Sequence, residues 1–123
     1  MKRFSLFFLA LLPMACYQPT RECQNFRTGS FRFTAEVEGE EQTTLFTRGE
    51  DLEVSEYAGK TDSAGVRWIN DCEYILSNLN PRTRAEEKPV HVKILSTTEN
   101  SYTFEYKLVG TSRTSRGTAI KTD

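Results

Sequence analysis

From Cys23 onward, apolar residues recur at every second position. Phe31, Phe33, Ala35 and Val37 alternate with Arg32, Thr34, Glu36 and Glu38. Val90, Val92 and Ile94 alternate with His91 and Lys93, and Tyr102, Phe104, Tyr106 and Leu108 alternate with Thr103, Glu105 and Lys107. A period of two sends the apolar set to one face and the polar set to the other, the pattern of half-buried antiparallel strands. The residue types agree, because Thr, Tyr, Phe and Val suit a pleated surface. The pattern is broken by turn chemistry at Glu38-Gly39-Glu40, Arg48-Gly49-Glu50-Asp51, Ala58-Gly59-Lys60, Asn80-Pro81 and Glu99-Asn100-Ser101. These signals predict strands over about 28–38, 42–48, 52–57, 64–69, 72–79, 90–97, 101–110 and 113–121.

Residues 66–76 allow two readings. As one strand, they place Val66, Trp68, Asn70, Cys72, Tyr74 and Leu76 on one face. As a hairpin, they turn at Asn70-Asp71, a weaker signal than Asn-Gly. Both put Trp68 and Cys72 near the core, and a bend or turn is slightly favoured. No long stretch has a helical period. Residues 82–88 are polar all round and suit an exposed loop with at most one or two helical turns.

Seven to eight short strands with tight connections predict an all-β fold: an antiparallel meander forming a small, lipocalin-like barrel or a strongly curled sheet. A barrel of about eight strands is just wide enough to be filled by side chains or to hold one small ligand. Phe31, Phe33, Trp68, Tyr74, Tyr102, Phe104 and Tyr106 would line it. That many rings make a filled interior the first expectation and a ligand cavity the second.

The chain start has a different pattern. Lys2 and Arg3 lead into the apolar run Phe4–Leu12, which stops at Pro13-Met14-Ala15-Cys16. A basic start, a short apolar stretch and a small residue before a cysteine predict an export signal ending in a lipobox. The run is far shorter than the roughly 20 apolar residues that span a bilayer. The expected organisation is a signal peptide over 1–15, a polar tether over 16–22 and one β domain over 23–123. Lipid on Cys16 would hold that domain to a membrane of the cell envelope. The residues after Cys16 carry no acidic run, which slightly favours a periplasm-facing position.

Processing before Cys16 leaves 123 − 15 = 108 residues and removes only basic charges, so the formal net charge moves from −1 to 14 − 17 = −3. A mildly acidic domain gains little from approaching a polyphosphate, so no nucleic-acid partner is expected. Of the three cysteines, Cys16 is the lipobox residue. Cys23 and Cys72 are left to pair in an oxidising compartment or to remain buried thiols, with pairing the favoured outcome.

Candidate chemistry is sparse. His91, the only histidine, lies on a polar register beside Lys93 and suits a solvated surface. Cys23 and Cys72 have no CxxC or HxxxH companion, and Glu36, Glu38, Glu40 and Glu41 lack the spacing of a calcium loop. Asp71 and Glu73 flank Cys72 and are the best acid/base pair, although acid/base work needs one of them in a cleft with a raised pKa. Arg113 and Arg116 suit a solvated hairpin, and Gly29 marks a bulge or a close backbone approach. No catalytic site, metal or cofactor is expected.

Two segments carry a family resemblance. Cys23-Gln24-Asn25-Phe26-Arg27-Thr28-Gly29-Ser30-Phe31 and Trp68-Ile69-Asn70-Asp71-Cys72-Glu73-Tyr74 fit C-x-x-F-[RK]-T-G-x-F followed by W-x-x-D-C-x-Y. This resembles a family of small uncharacterised lipoproteins of Bacteroidota-type bacteria. The resemblance covers most of residues 23–76, and the C-terminal third agrees only in strand pattern and length. It implies an exported, lipid-anchored β domain with the two cysteines paired and no established activity. Some relatives go under the name DNA topoisomerase IV, but a 108-residue exported domain has no room for DNA-cleaving machinery. The functional expectation is a non-catalytic envelope protein that binds or interacts with an unknown envelope protein. The alternative is a small lipocalin-like carrier of an apolar small molecule.

Overall fold

The computed structural model describes residues 21–123. The expected signal peptide, Cys16 and residues 17–20 of the tether lie outside the described residues. A 3-10 helix at Cys23–Phe26 precedes eight strands: β1 (Gly29–Val37), β2 (Glu40–Arg48), β3 (Leu52–Tyr57), β4 (Lys60–Asn70), β5 (Glu73–Asn78), β6 (Val90–Thr97), β7 (Ser101–Leu108) and β8 (Ser115–Lys121). Each strand pairs antiparallel with the next, and β8 returns to β1, closing a meander barrel. One turn of α-helix, α1 (Arg84–Glu87), interrupts the long β5–β6 connection, with the Thr83 hydroxyl accepting from the Glu86 amide at 3.2 Å. Among the described residues no helix is long and apolar enough to cross a membrane.

The strand boundaries differ from expectation where turns are tighter than their composition suggests. β2 begins at Glu40 and β4 at Lys60, because Glu38-Gly39 and Ala58-Gly59 form two-residue turns with positive φ at both positions. Strand pairing therefore resumes immediately, at Val37↔Glu40 and Tyr57↔Lys60. Residues 66–76 form a hairpin, and its turn is Asp71-Cys72, one residue later than the sequence signal. The Asn70 side-chain oxygen accepts from the Cys72 amide at 2.9 Å and sets this turn. Ile69 is the extra residue of a bulge, which leaves Trp68 opposite Tyr74 inside the barrel and turns Ile69 outward.

The two barrel ends are different. At one end lie the 3-10 helix, the short 49–51, 71–72 and 98–100 connections and the C-terminus. Phe26 and Cys23 are buried there, and Cys23 is disulfide-bonded to Cys72 with Cα atoms 5.2 Å apart. The Glu22 amide donates to Thr97 Oγ1 at 2.8 Å, so the domain begins within the segment expected to be tether. Gly29, at φ +136°, makes the close approach expected of it: a Cβ there would lie 2.8 Å from Lys121 Cε. The other end carries the two tight turns, the β5–β6 connection with α1, and the 109–114 loop.

Between these ends the aromatic side chains interlock. Phe31 stacks on Phe46 at 5.1 Å and meets the Tyr102 ring edge-on at 5.6 Å, and Phe33 packs on Phe104 at 5.4 Å. Gly117 on β8 gives Phe33 and Phe104 their space, since a Cβ there would overlap the Phe33 ring and lie 3.1 Å from Phe104 Cζ. The crosslink joins residues 49 apart and removes loop entropy worth about 4 kcal/mol from the unfolded chain. Cys72→Ala, or reduction of the native protein, is expected to lower unfolding stability by about 4 kcal/mol in a denaturant titration. A loss below about 1 kcal/mol would show that the disulfide is peripheral to folding.

Candidate functional site: a buried arginine beneath an aromatic cavity

Thr44, Phe46 and Arg48 share the inward face of β2, because side chains two apart point the same way. This register carries Arg48 into the sealed end, where it is 1% exposed. A buried guanidinium is tolerated only when its donors are met. Arg48 Nε donates to the Arg27 carbonyl at 3.1 Å, and Nη2 donates to the Phe26 carbonyl. Nη1 faces Glu53 Oε1 at 2.9 Å, Tyr74 Oη at 3.0 Å and Tyr102 Oη at 3.2 Å. The guanidinium also lies over rings, 4.7 Å from the Tyr74 centroid and 4.8 Å from that of Phe31. One side chain thus ties the 3-10 helix to β2, β3, β5 and β7.

Charge is held unevenly in this cluster. Burial works against the Arg48 cation, but Tyr74, Tyr102 and Glu53 outweigh it and keep the group charged. Burial also raises the Tyr74 and Tyr102 phenols, which stay neutral. The Glu53 carboxyl is raised above its usual range because burial outweighs the pull of Arg48. Glu53 Oε2 takes part in no hydrogen bond among the described residues.

Glu53 also borders a cavity. An inner chamber of about 220 Å³ is walled by Phe33, Phe46, Phe104 and Tyr106 on one side and by Glu53 and Ser55 on another. Leu76, Val90, Glu53 and Ser55 also line an outer chamber of about 440 Å³, which extends past Asn78 to Ala85, Glu86 and Lys88 of the β5–β6 connection. The barrel is therefore packed at the sealed end and hollow toward the mouth. The expectation of a wholly filled interior fails because β3 contributes Glu53, Ser55 and β4 Ala64 where large apolar side chains would be needed.

The expected lining residues divide between these regions. Phe31 and Trp68 pack in the sealed half, while Phe33, Tyr74, Tyr102, Phe104 and Tyr106 border the chamber. Trp68 packs against Tyr74 in a tilted pair at 4.6 Å, and its buried indole N–H has no acceptor among the described residues. Arg48, Glu53 and Phe46 do not stand out in the sequence as site residues, and Phe26 does so only as a position of the C-x-x-F motif. Alternation carried the signal for Arg48, which continues the Thr44-Phe46 face, but a charged residue before Gly49 suggests a turn instead.

The other candidates lie outside the barrel. His91 is half-buried rather than solvated, with Nε2 3.1 Å from Glu73 Oε1. Asp71 is exposed in its turn. A 2.6 Å hydrogen bond from Asn70 holds the Glu73 carboxyl below its usual range, the reverse of what a general acid requires. Arg116 lies 3.8 Å from Glu105, and Arg113 is exposed in the loop before β8. Among the described residues no group of three or more His, Cys, Asp or Glu is placed to hold a metal ion.

Two outcomes follow from the Arg48–Glu53 pair. Glu53→Ala strands a buried cation and is expected to cost about 3 kcal/mol in a denaturant titration, whereas Glu53→Gln keeps an oxygen acceptor and costs less. The raised Glu53 carboxyl means that the folded state binds more protons than the unfolded chain between the unfolded value near 4.5 and the folded one. Its contribution to stability therefore grows as pH falls through that window. The wild type is expected to gain stability relative to Glu53→Gln as pH falls from neutral toward 4.5, and an unchanged difference over that whole range would refute the assignment. Compared with family models, curated proteins and solved structures, the chain gives no match, and the cavity is interpreted from its own geometry.

Proposed function

We propose that this chain is a non-catalytic, ligand-binding barrel of the cell envelope, exported and anchored to a membrane by lipid on Cys16. The cavity carries the binding reading: a partly open chamber of about 220 Å³ with aromatic walls and the polar side chains of Thr44, Glu53 and Ser55 in its lining, sharing residues with an outer chamber. Small-molecule sites are concave, largely apolar and equipped with a few fixed polar groups. The inner chamber is smaller than the roughly 300–1,000 Å³ typical of drug-sized ligands. The ligand is accordingly small, or it leaves one end in the outer chamber.

Export and anchoring are supported by the leader and by cysteine use. Lys2-Arg3, the apolar run and Ala15-Cys16 have the order of a lipoprotein signal. The Cys23–Cys72 disulfide suits an oxidising compartment and leaves Cys16 as the odd cysteine. The resemblance to Bacteroidota-type lipoproteins points the same way. Arg21 enters the domain at the sealed end, five residues after Cys16. Even fully extended, such a segment reaches only about 18 Å. The sealed end therefore faces the bilayer, and the mouth faces away from it.

Binding is tested by titrating the exported domain with the neutral fluorescent probe N-phenyl-1-naphthylamine. Saturable enhancement is expected, and Leu76→Trp, which places a bulky indole in the shared wall of the two chambers, is expected to abolish it while the far-UV spectrum stays unchanged. Equal enhancement in both proteins would remove the cavity from the proposal. Anchoring is checked separately by labelled palmitate, which is expected to enter the wild type and not Cys16→Ala.

A further inference from the structure

We propose that the chamber is built for a small organic amine, whose ammonium group binds Glu53 Oε2 within the aromatic wall. This inference rests on the cavity-binding reading and adds the chemical class of its ligand. The orientation of the buried ion pair is the first support. Arg48 lies at the sealed end, below the chamber, and its guanidinium is occupied by Phe26, Arg27, Tyr74, Tyr102 and Glu53. Glu53 lies between Arg48 and the chamber and lines both chambers. The pair thus forms a dipole whose negative end meets the empty space.

Acceptor capacity is the second support. Glu53 uses Oε1 on Arg48, and its side chain, only 12% exposed, lines both chambers with one oxygen to spare. Neither Glu53 Oε2 nor the neighbouring Ser55 hydroxyl makes a hydrogen bond among the described residues. A buried carboxylate with a spare oxygen calls for a donor. A charged donor makes the stronger hydrogen bond.

The aromatic wall selects between a neutral donor and a cation. Phe33, Phe46, Phe104 and Tyr106 line the chamber that Glu53 borders. Ring faces attract cations, and the attraction strengthens where water is excluded. A carboxylate ligand finds the opposite: the negative end of the pair and no free cation inside. At the mouth, Asp62 is 3.5 Å from Arg82, and Glu86 and Lys88 both line the outer chamber, so these four rim charges balance in sign. Selection therefore falls to Glu53.

The test uses three ligands of matched size on the exported domain: 2-phenylethylamine, 2-phenylethanol and phenylacetate, each followed by calorimetric titration at pH 7. The amine is expected to bind about tenfold or more tightly than the alcohol, with phenylacetate weakest. Glu53→Gln, which keeps an acceptor for Arg48, is expected to lose that preference, so that amine and alcohol bind it within about threefold of each other. The wild-type ranking stands as evidence if the variant does not fold. Equal binding of amine and alcohol by the wild type, tightest binding of phenylacetate, or an undiminished amine preference in folded Glu53→Gln overturns the inference. Binding of the neutral naphthyl probe without amine preference removes only the ligand class, whereas loss of probe binding as well removes the cavity reading.

Discussion

The structure turns on one buried guanidinium. Arg48 is the point at which the 3-10 helix, the β2 terminus and the interior hydroxyls meet, through two backbone carbonyls, one carboxylate and two phenols. The two carbonyls belong to Phe26 and Arg27, at the C-terminal end of a helix too short to satisfy its own acceptors. Arg48 thus closes the barrel and completes the hydrogen bonding of the segment that plugs it. Such a cluster contributes uniqueness more securely than stability, since a buried charge is costly unless every partner is present. An apolar replacement would retain the volume but leave Glu53 without its counter-ion and the plug with two unmet carbonyls.

Much of the scaffold was legible in the sequence. The alternation along Phe31–Val37, Val90–Ile94 and Tyr102–Leu108 reflects a barrel wall with one wet and one dry face, a constraint that acts residue by residue. The pairing of Cys23 with Cys72 followed from cysteine arithmetic and a compartment argument. Turn geometry was less legible: Glu38-Gly39 and Ala58-Gly59 close in two residues, and the hairpin after Trp68 shifts by one position because Ile69 is bulged. A bulge reflects local hydrogen bonding around Asn70 rather than composition, so periodicity alone could not locate it.

The site was less legible for the opposite reason. Patterning identifies what avoids water, and Arg48 and Glu53 are groups that ordinarily seek it. Their burial depends on partners distant in sequence, with Tyr74 26 and Tyr102 54 positions from Arg48. The cavity depends equally on residues that are small, such as Ser55 and Ala64, whose effect is to leave space rather than fill it. A list of aromatic residues locates the walls of a chamber and cannot show that it is hollow.

The position of the disulfide also affects how the fold bears load. Cys23 precedes β1, and its partner lies at the far side of the sheet order, in the β4–β5 turn. The β1–β8 seam holds three paired residues, against nine between β1 and β2. Tension arriving along the chain from residues before Cys23 passes through a covalent bond into the middle hairpin and bypasses that narrow seam. A barrel pulled from its sealed end would therefore resist unzipping strand by strand, with the crosslink acting as a mechanical clamp rather than only an entropic one.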